Sequence, residues 1–270
     1  MLPVMTMKRQ LMRLRENLVW RLRWLYTGVF TGWIYKKNVY SHRTAIARFF
    51  LRPGMSGIEI GGGNNPLKLP GSINVKYVDK HPVEKLLKLM KDNNYFTRRD
   101  LAKVDIVDEA ETLSSIAPGS QDFVIANHVL EHCRDPLLAV ANMLRVLRDA
   151  GILFISVPDK RYTFDAPRPI TTLEHLKADR AGGAGVSSKK HFEEWAELVE
   201  SVSGKENIEK RATSLIDQDF SIHYHVWTSW EMMELFSHVH ETSGYSFDIE
   251  HLSFNHIEVL FVFRKRLEDK

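Results

Sequence analysis

The stretch MSGIEIGGG at residues 55–63 decides the fold that this sequence predicts. Its first six residues are typical of a buried β-strand, and the strand leads directly into three consecutive glycines. Glycines at such a turn let the backbone approach a bound ligand closely. A second predicted strand, residues 75–78, ends at Asp79. An acid at this distance can accept hydrogen bonds from both hydroxyls of a ribose, so the two strands predict a nucleotide-binding edge.

Short apolar runs then alternate with helical patterns along the chain. Asp135 and Pro136 are typical of a helix start, and Gly151 is predicted to end that helix. Further strands are predicted at residues 103–107, 122–126, 152–157, 246–254 and 257–263, the last two as a C-terminal hairpin. This alternation predicts an α/β fold with a Rossmann-like, doubly wound, mostly parallel sheet and a C-terminal antiparallel strand.

Helix starts in the second half of the chain are predicted from capping boxes. Thr171-x-x-Glu174 and Thr228-x-x-Glu231 both place a hydroxyl three residues before a carboxylate, which is the pattern that satisfies the first free N–H groups of a helix.

Charge is unevenly distributed along the 270 residues. The net charge is +3, yet residues 1–50 carry ten Lys or Arg and a single acid. Five leucines of this segment share one face of a helix: Leu11, Leu14, Leu18, Leu22 and Leu25. Two roles remain open for this basic helical N-terminal arm, docking on its own domain or peripheral contact with a membrane. No uncharged run reaches the about 20 residues that cross a bilayer.

Cysteine usage indicates the compartment. Cys133 is the single cysteine, which excludes an internal disulfide framework and favours a reducing environment. We therefore predict a cytoplasmic protein, with a peripheral position at the inner face of the membrane as the alternative.

The residues after the glycines discriminate between nucleotides. A dinucleotide fingerprint has a third glycine three residues after Gly63, where a helix begins, but Pro66 stands there. Proline has no N–H, and the following residues leave little room for a helix whose N-terminus could bind a pyrophosphate. This disfavours an NAD(P)-dependent oxidoreductase, which stays the alternative function. The acid Glu59 instead suits a cationic ligand such as S-adenosylmethionine.

Five motifs in this order resemble the class I S-adenosylmethionine-dependent methyltransferases. They are Glu59–Pro66, Asp79, Asp108–Leu113, Asp122–His132 and Leu147–Leu153. Two further segments, Val157–Asp165 and His223–Trp227, resemble a bacterial subgroup linked to surface-polysaccharide or other glycan biosynthesis. The resemblance implies S-adenosyl-L-methionine as the cofactor and O-methylation of a sugar or glycan-linked intermediate as the reaction.

The resemblance also implies cofactor-binding residues. They are Glu59, Gly61, Gly62, Gly63, Asp79, Asp108, Glu109 and Asn127. Glu59 would lie near the amino group of the cofactor, Asp79 would hold the ribose hydroxyls, and Asp108 or Glu109 would accept from the adenine amino group. Asn127 and the neighbouring His128 would lie near the methyl group. The sequence departs from the family at Asn65, where many members have a third glycine, and the usual helix after the glycines is predicted to be truncated.

A hydroxyl acceptor needs a general base. The predicted catalytic candidates are His128, Asp159, His223 and His225. His132 is interpreted as a hydrogen-bonded packing residue. The pair His223 and His225 could join His175 or His191 in a metal site, since imidazole suits several divalent ions. Two separately hydrogen-bonded histidines are the simpler interpretation, and no metal is assigned.

Four parts of the chain follow from these patterns. They are the arm, residues 1–50; a cofactor-binding core, residues 51–160; an insertion that shapes the acceptor site, residues 161–226; and a helix with a hairpin that completes the sheet, residues 227–270. Acidic residues outnumber basic ones after residue 50, and no Asn/Asp-Pro-Pro-aromatic motif follows the fourth strand, so nucleic acid is not expected as a partner. A methyltransferase fold that binds without catalysis is a further alternative, and the oligomeric state is left open.

Overall fold

A computed structural model describes residues 31–63, 65–92, 101–183 and 187–267. The chain divides into two compact units, Met1–Ala45 and Ile46–Lys270. Helix α1, Thr31–Phe50, spans this division, and the sheet lies within the second unit. The leucine stripe predicted for residues 11–25 lies outside the described residues. Within the described ranges, no helix combines the length and the apolar character needed to cross a membrane.

Seven strands form one sheet in the order β3-β2-β1-β4-β5-β7-β6. Their bounds are β1 Ser56–Ile60, β2 Asn74–Asp79, β3 Ile106–Val107, β4 Gln121–Asn127, β5 Leu147–Pro158, β6 Phe247–Asn255 and β7 Glu258–Lys265. Six strands run parallel to one another, and β7 runs antiparallel to them. The predicted fold, a mostly parallel α/β sheet closed by a C-terminal hairpin, is therefore confirmed.

Six further α-helices lie among the described residues. They are α2 Val83–Asp92, α3 Pro136–Val146, α4 Leu173–Gly182, α5 Ser188–Leu198, α6 Lys205–Asp217 and α7 Ser229–Thr242. The predicted start of α3 is confirmed, because the Asp135 carboxylate accepts the Leu138 N–H at 2.8 Å and Pro136 occupies the first turn. The capping box between Thr228 and Glu231 is confirmed at the start of α7.

Apolar side chains cover both faces of the central strands. Along β4, Phe123 and Ile125 belong to one buried cluster, whereas Val124 and Ala126 belong to the other. This alternation follows from the two-residue period of a strand. A strand buried on both faces has a continuous apolar run, which explains why β4 was predictable from sequence.

Three predictions are corrected in detail. Gly151 does not end α3, because the helix stops at Val146 and β5 begins at Leu147. Ala150 has a φ of 60° there, and a Cβ on Gly151 would come within 2.8 Å of the Arg148 carbonyl oxygen, so this glycine permits a tight bend inside the strand. The third strand covers only Ile106–Val107 rather than residues 103–107.

The third correction concerns the start of α4. Its N-cap is Thr172, whose hydroxyl accepts the His175 N–H, and not Thr171. Thr171 instead pairs with the extended segment 219–227, since its N–H donates to the Val226 carbonyl at 2.9 Å and its hydroxyl accepts the Val226 N–H at 3.0 Å.

Residues 219–227, which we call the strap, run along the carboxyl edge of the parallel strands. Near the end of β2, Asp219 forms ion pairs with Lys80 and His81. Past the end of β4, the Tyr224 N–H donates to the Glu131 carbonyl at 2.7 Å. Past β5, the Lys160 N–H donates to the Trp227 carbonyl at 2.9 Å. The insertion thus returns across the edge at which open α/β sheets bind ligands.

Candidate functional site

The glycine turn after β1 requires its glycines. Gly61 and Gly63 have φ values of 62° and 47°, a region that side-chain-bearing residues rarely adopt. A Cβ on Gly62 would lie 3.1 Å from the ring of Tyr77, and one on Gly61 would lie 3.3 Å from Val129. No helix occurs between β1 and β2 among residues 61–63 and 65–73, in agreement with the predicted truncation. The turn therefore presents bare backbone at the end of the strand.

Glu59 supports this turn from beneath. Its side chain is buried, and both carboxylate oxygens accept the Leu67 N–H at 3.0 Å. Burial raises the pKa of the neighbouring Tyr77, and the negative charge of Glu59 raises this pKa further. The predicted contact of Glu59 with the cofactor's amino group stays a prediction, and the observed bond shows how the loop after the glycines is held.

Asp79 lies at the end of β2, beside the glycine turn. Burial raises the pKa of its carboxyl above the usual range, although the N–H groups of His81 and Lys80 and the charge of His81 act in the opposite direction. A carboxylate in this position gains stability from any further hydrogen-bond donor. Two vicinal hydroxyls would be such donors.

Asp108 and Glu109, after β3, differ in what they already bind. The Asp108 carboxylate accepts from the Glu109 N–H at 2.8 Å and from both the N–H and the hydroxyl of Ser115, at 2.8 and 2.5 Å. Burial would raise its pKa, but these bonds outweigh it and the pKa of Asp108 is lowered. Asp108 thus organises the turn that follows β3, whereas Glu109 is exposed. Of the two predicted adenine contacts, the geometry favours Glu109.

His128 follows β4 in a left-handed backbone conformation, with a φ of 54°. Its N–H donates to the Ser156 carbonyl at 2.9 Å, which aligns it with the end of β5. The ring donates from Nε2 to the buried Glu258 at 2.6 Å, while Nδ1 lies 3.6 Å from the buried Glu131. Its neighbour Asn127 accepts the Ser156 hydroxyl at 2.9 Å. A histidine held by a carboxylate beside a ligand-binding edge has the arrangement of an oriented base.

Asp159 is less suited to act as a base. It is fully buried, and Arg161 binds both its oxygens, from Nε at 3.0 Å and from Nη2 at 2.6 Å. The Arg161 N–H adds a third bond at 3.0 Å. A carboxylate neutralised in this way positions the loop after β5, so its predicted catalytic role is disfavoured relative to that of His128.

His223 of the strap pairs with a buried acid. Its Nδ1 donates to Asp165 at 2.6 Å, and Arg168 donates to the other oxygen of Asp165 at 3.0 Å. Burial would raise the pKa of Asp165, but the bond and charge of His223 and of Arg168 lower it. Arg168 also donates to the backbone carbonyls of His223 and Tyr224. This network fixes the middle of the strap.

The alternating histidines of the strap belong to different clusters. The His223 ring contacts that of His132, with centroids 4.8 Å apart, whereas the His225 ring contacts those of His175 and His191 at 5.8 and 5.0 Å. His132 hydrogen bonds to the Ile222 carbonyl at 2.9 Å, as expected of a packing residue. Of the predicted catalytic set, His128, Asp159 and His223 lie near the edge that the strap crosses, whereas the His225 ring packs against His175 and His191.

Sequence reasoning missed three residues of this region: Glu258, Asp165 and Arg168. Glu258 is the lone acid in front of an apolar strand, and Asp165 and Arg168 are charged residues three apart that are almost fully buried. The isolated acid before an apolar run was the available signal for Glu258. Their partners lie far away in sequence, so the pairing itself could not be read from it.

A protein-family profile described as a methyltransferase domain matches residues 35–201. This match covers more than half of the chain. The chain belongs to this methyltransferase family. A search of curated proteins returned no match.

Solved structures resemble this methyltransferase-domain protein over most of its length. One, described as a Zn-dependent alcohol dehydrogenase from Rhodobacter sphaeroides, has a TM-score of 0.52 at 16% identity, covering 83% of this chain and 89% of that chain. At this identity the likeness shows the fold alone.

Two S-adenosylmethionine-dependent methyltransferases are also similar. The protein from Methanosarcina mazei has a TM-score of 0.46 at 16% identity, with 83% of this chain and 98% of that chain covered. The protein from Thermotoga maritima has a TM-score of 0.44 at 16% identity, with 92% and 100% covered.

Proposed function

We propose that this protein is an S-adenosylmethionine-dependent O-methyltransferase that acts on a hydroxyl of a sugar or glycan-linked intermediate. The observation that carries the proposal is the pairing of His128 with the buried Glu258 at 2.6 Å, at the same edge of the sheet as the glycine turn and Asp79. Family membership supports methyl transfer, and the pair supports an acceptor that must lose a proton.

The described residues fit S-adenosylmethionine. Bare backbone at the glycine turn leaves room that a Cβ would fill, and the buried carboxyl of Asp79 suits ribose hydroxyls. Glu59 adds negative charge beneath the turn, which suits a cationic ligand. When bound, S-adenosylmethionine supplies a methyl group on a sulfonium, and loss of that methyl leaves a thioether. The lack of a helix after the glycines, by contrast, gives a nicotinamide dinucleotide no helix N-terminus for its pyrophosphate.

His128 would act on the acceptor through Nδ1. Nε2 already donates to Glu258, so Nδ1, which lies 3.6 Å from Glu131, is the ring nitrogen that would accept a proton from the acceptor hydroxyl. Glu258 would stabilise the imidazolium that results, as carboxylates do for oriented bases elsewhere. Much of the rate would come from holding the hydroxyl oxygen at near-attack distance, because the methyl donor is already activated.

The acceptor class rests on the strap and the loop after β5. These are the two segments that resemble the glycan-linked subgroup, and they pair with each other through a bridge between Asp159 and Trp227 and through the bond of His223 to Asp165. They line the carboxyl edge beside His128. The proposed acceptor class therefore rests on this resemblance and on the position of the two segments.

The test is transfer of an isotopically labelled methyl group from S-adenosylmethionine to a panel of sugars and sugar nucleotides, with amines as comparison acceptors. We expect an ether product, and a kcat lowered by about 100-fold or more in His128→Asn. Asparagine tolerates the left-handed backbone of this position, so the variant removes the ring and not the conformation. Transfer to amines alone, or full activity in His128→Asn, would refute the proposal. Donor binding without transfer to any acceptor would favour the non-catalytic alternative.

A further inference from the structure

Four metal-ligating side chains meet inside the insertion, away from the pair formed by His128 and Glu258. The members of this His₃Asp cluster are His175 and Asp179 of α4, His191 of α5 and His225 of the strap. One ligand atom of each lies within 4.8 Å of all the others. Three of the four are buried and His175 is half-buried, so the cluster has one side open to an entering ion.

The sequence creates this cluster by helical spacing and by the return of the strap. His175 and Asp179 are four residues apart on α4 and therefore project from the same face. His191 lies in the first turn of α5. His225 reaches the cluster because the strap is anchored on both sides, at Glu131 through Tyr224 and at Thr171 through Val226.

The distances fit a tetrahedral ion. His175 Nε2 lies 3.1 Å from Asp179 Oδ2 and 3.3 Å from His191 Nε2, and the last two atoms are 3.5 Å apart. Ligands bound to zinc at about 2.0–2.1 Å with tetrahedral angles lie about 3.3 Å from one another. The three separations therefore match the edges of a single coordination polyhedron.

His225 gives independent evidence that this cluster binds an ion. Its Nε2 donates to the Arg134 carbonyl at 3.2 Å, which leaves the lone pair on Nδ1. Nδ1 is buried, and no partner for it exists among the described residues. Buried polar atoms are almost always satisfied. A histidine that donates one nitrogen to a backbone carbonyl and offers the other is the usual form of a metal-bound imidazole.

Hydrogen bonds alone do not satisfy the polar atoms of this cluster. His191 Nε2 lies within 3.5 Å of polar atoms of His175, Asp179 and Ser187. A single ring nitrogen offers either one proton or one lone pair, so it cannot satisfy three such neighbours. A shared cation resolves the competition between the two imidazoles and the carboxylate.

We propose that the His₃Asp cluster binds one zinc-class divalent transition-metal ion. Imidazole nitrogens with a carboxylate oxygen are a donor set that this class accepts. Four protein ligands close the coordination sphere, so the ion is structural: it joins α4 and α5 to the strap and thereby holds the acceptor side of the edge in place. The inference concerns metal binding alone and does not depend on methyl transfer.

The first test measures metal on the wild-type protein. The full chain is stripped with a chelator, dialysed and titrated with Zn²⁺ against a chromophoric competitor, and in parallel with Co²⁺. We expect one ion per chain and the intense visible absorption of four-coordinate Co²⁺. A wild-type protein that takes up no Zn²⁺ in competition, or a weak six-coordinate Co²⁺ spectrum, would overturn the proposal.

Variants locate the ion. Asp179→Asn and His225→Gln should each weaken Zn²⁺ binding by at least about 100-fold, and Zn²⁺ should no longer raise their unfolding temperature. His238→Gln, on α7 outside the cluster, serves as the matched control and should bind like the wild type. Equal Zn²⁺ affinity in all four proteins would place the ion elsewhere and contradict the assignment. If a variant fails to fold, the wild-type stoichiometry and Co²⁺ spectrum still decide.

Discussion

At the residue scale, the candidate site depends on charges that are buried together. His128 adopts a φ of 54° at the end of β4 and lies between Glu131 and Glu258, both buried. A non-glycine residue in this conformation is strained, and such strain concentrates at functional positions. The bond of its N–H to the Ser156 carbonyl maintains the conformation.

Glu258 is expected to matter through the ring that it orients. Replacing it in Glu258→Gln should lower kcat by about 100-fold while the dissociation constant of S-adenosylmethionine changes little, because the acid acts by orienting the His128 ring. Steady-state kinetics together with calorimetry separate the two effects. Glu250→Gln, an exposed acid paired with Arg264, is the control. An unchanged kcat in Glu258→Gln would contradict the assigned role.

His132 predicts a specific loss of stability in acid. Burial, helped by the charge of His223, lowers its folded-state pKa to about 3, whereas an unfolded histidine titrates near 6.5. Between these values only the unfolded chain takes up the proton, so stability falls as the pH decreases through this window.

The wild type should therefore lose about 2 kcal/mol more unfolding free energy between pH 7 and pH 5 than His132→Gln. Urea titrations at the two pH values measure the difference, with His238→Gln as the control. Parallel losses in the wild type and His132→Gln would show that His132 is not the group responsible.

At the element scale, the glycine turn combines backbone conformation with space for a ligand. Gly61 and Gly119 have φ values of 62° and 61°, yet a Cβ on Gly61 meets Val129 at 3.3 Å whereas one on Gly119 meets nothing within 4 Å. Because the two φ values are alike, both alanine variants carry a similar backbone cost of about 1 kcal/mol, and Gly61→Ala must in addition displace Val129. Only Gly61 lies at the proposed cofactor edge.

Gly61→Ala should weaken S-adenosylmethionine binding by at least about 10-fold, and Gly119→Ala should not, although both lower the unfolding temperature. Calorimetric titration of the two variants tests this directly. Equal affinities would mean that the glycine turn does not contact the cofactor.

The elements themselves were largely predictable, for physical reasons. Strands β1 and β4 are buried on both faces, and the start of α3 has both an acid cap and a proline, so each has a strong local signal. The end of α3 was predicted wrongly because Gly151 was interpreted as a helix stop, whereas it permits a bend within β5. The N-cap of α4 moved by one residue because Thr171 pairs with the strap, a contact that no local pattern encodes.

Only those parts of the candidate site that depend on residues close together in sequence were predictable. The glycines and Asp79 come directly after predicted strands, so their position at the edge of the sheet could be predicted. Their roles toward the cofactor stay predictions. The partners of the histidines were not accessible in this way: His128 and Glu258 are 130 residues apart, and His223 and Asp165 are 58 apart. Such pairs depend on the register of the C-terminal hairpin and on the course of the strap, which are tertiary properties.

At the scale of the whole molecule, a buried cation joins separate parts of the insertion to one another. Arg168 is almost fully buried and binds Asp165 at 3.0 Å, Glu194 at 2.8 Å and two carbonyls of the strap. Removing it leaves Asp165 as a buried charge that has lost its guanidinium partner. Removing one partner of a buried ion pair lowers the unfolding free energy by more than the intact pair contributes to it.

Arg168→Met should lower the unfolding free energy by about 3 kcal/mol. Arg211→Met, which removes the partly exposed pair with Glu200, should cost less than about 1 kcal/mol. Urea denaturation of both variants gives the comparison. Similar values for the two would show that the buried network does not hold the parts of the insertion together.

Calorimetric titration of the wild type and of Asp79→Asn with S-adenosylmethionine measures whether the carboxyl edge of this sheet binds that cofactor. NADH serves as the competing ligand. We expect one S-adenosylmethionine per wild-type chain, no heat with NADH, and an affinity lowered by at least about 10-fold in Asp79→Asn, because two hydroxyl groups lose a charged acceptor. No binding of S-adenosylmethionine to the wild type, equal affinity in Asp79→Asn, or binding of NADH instead would contradict the account.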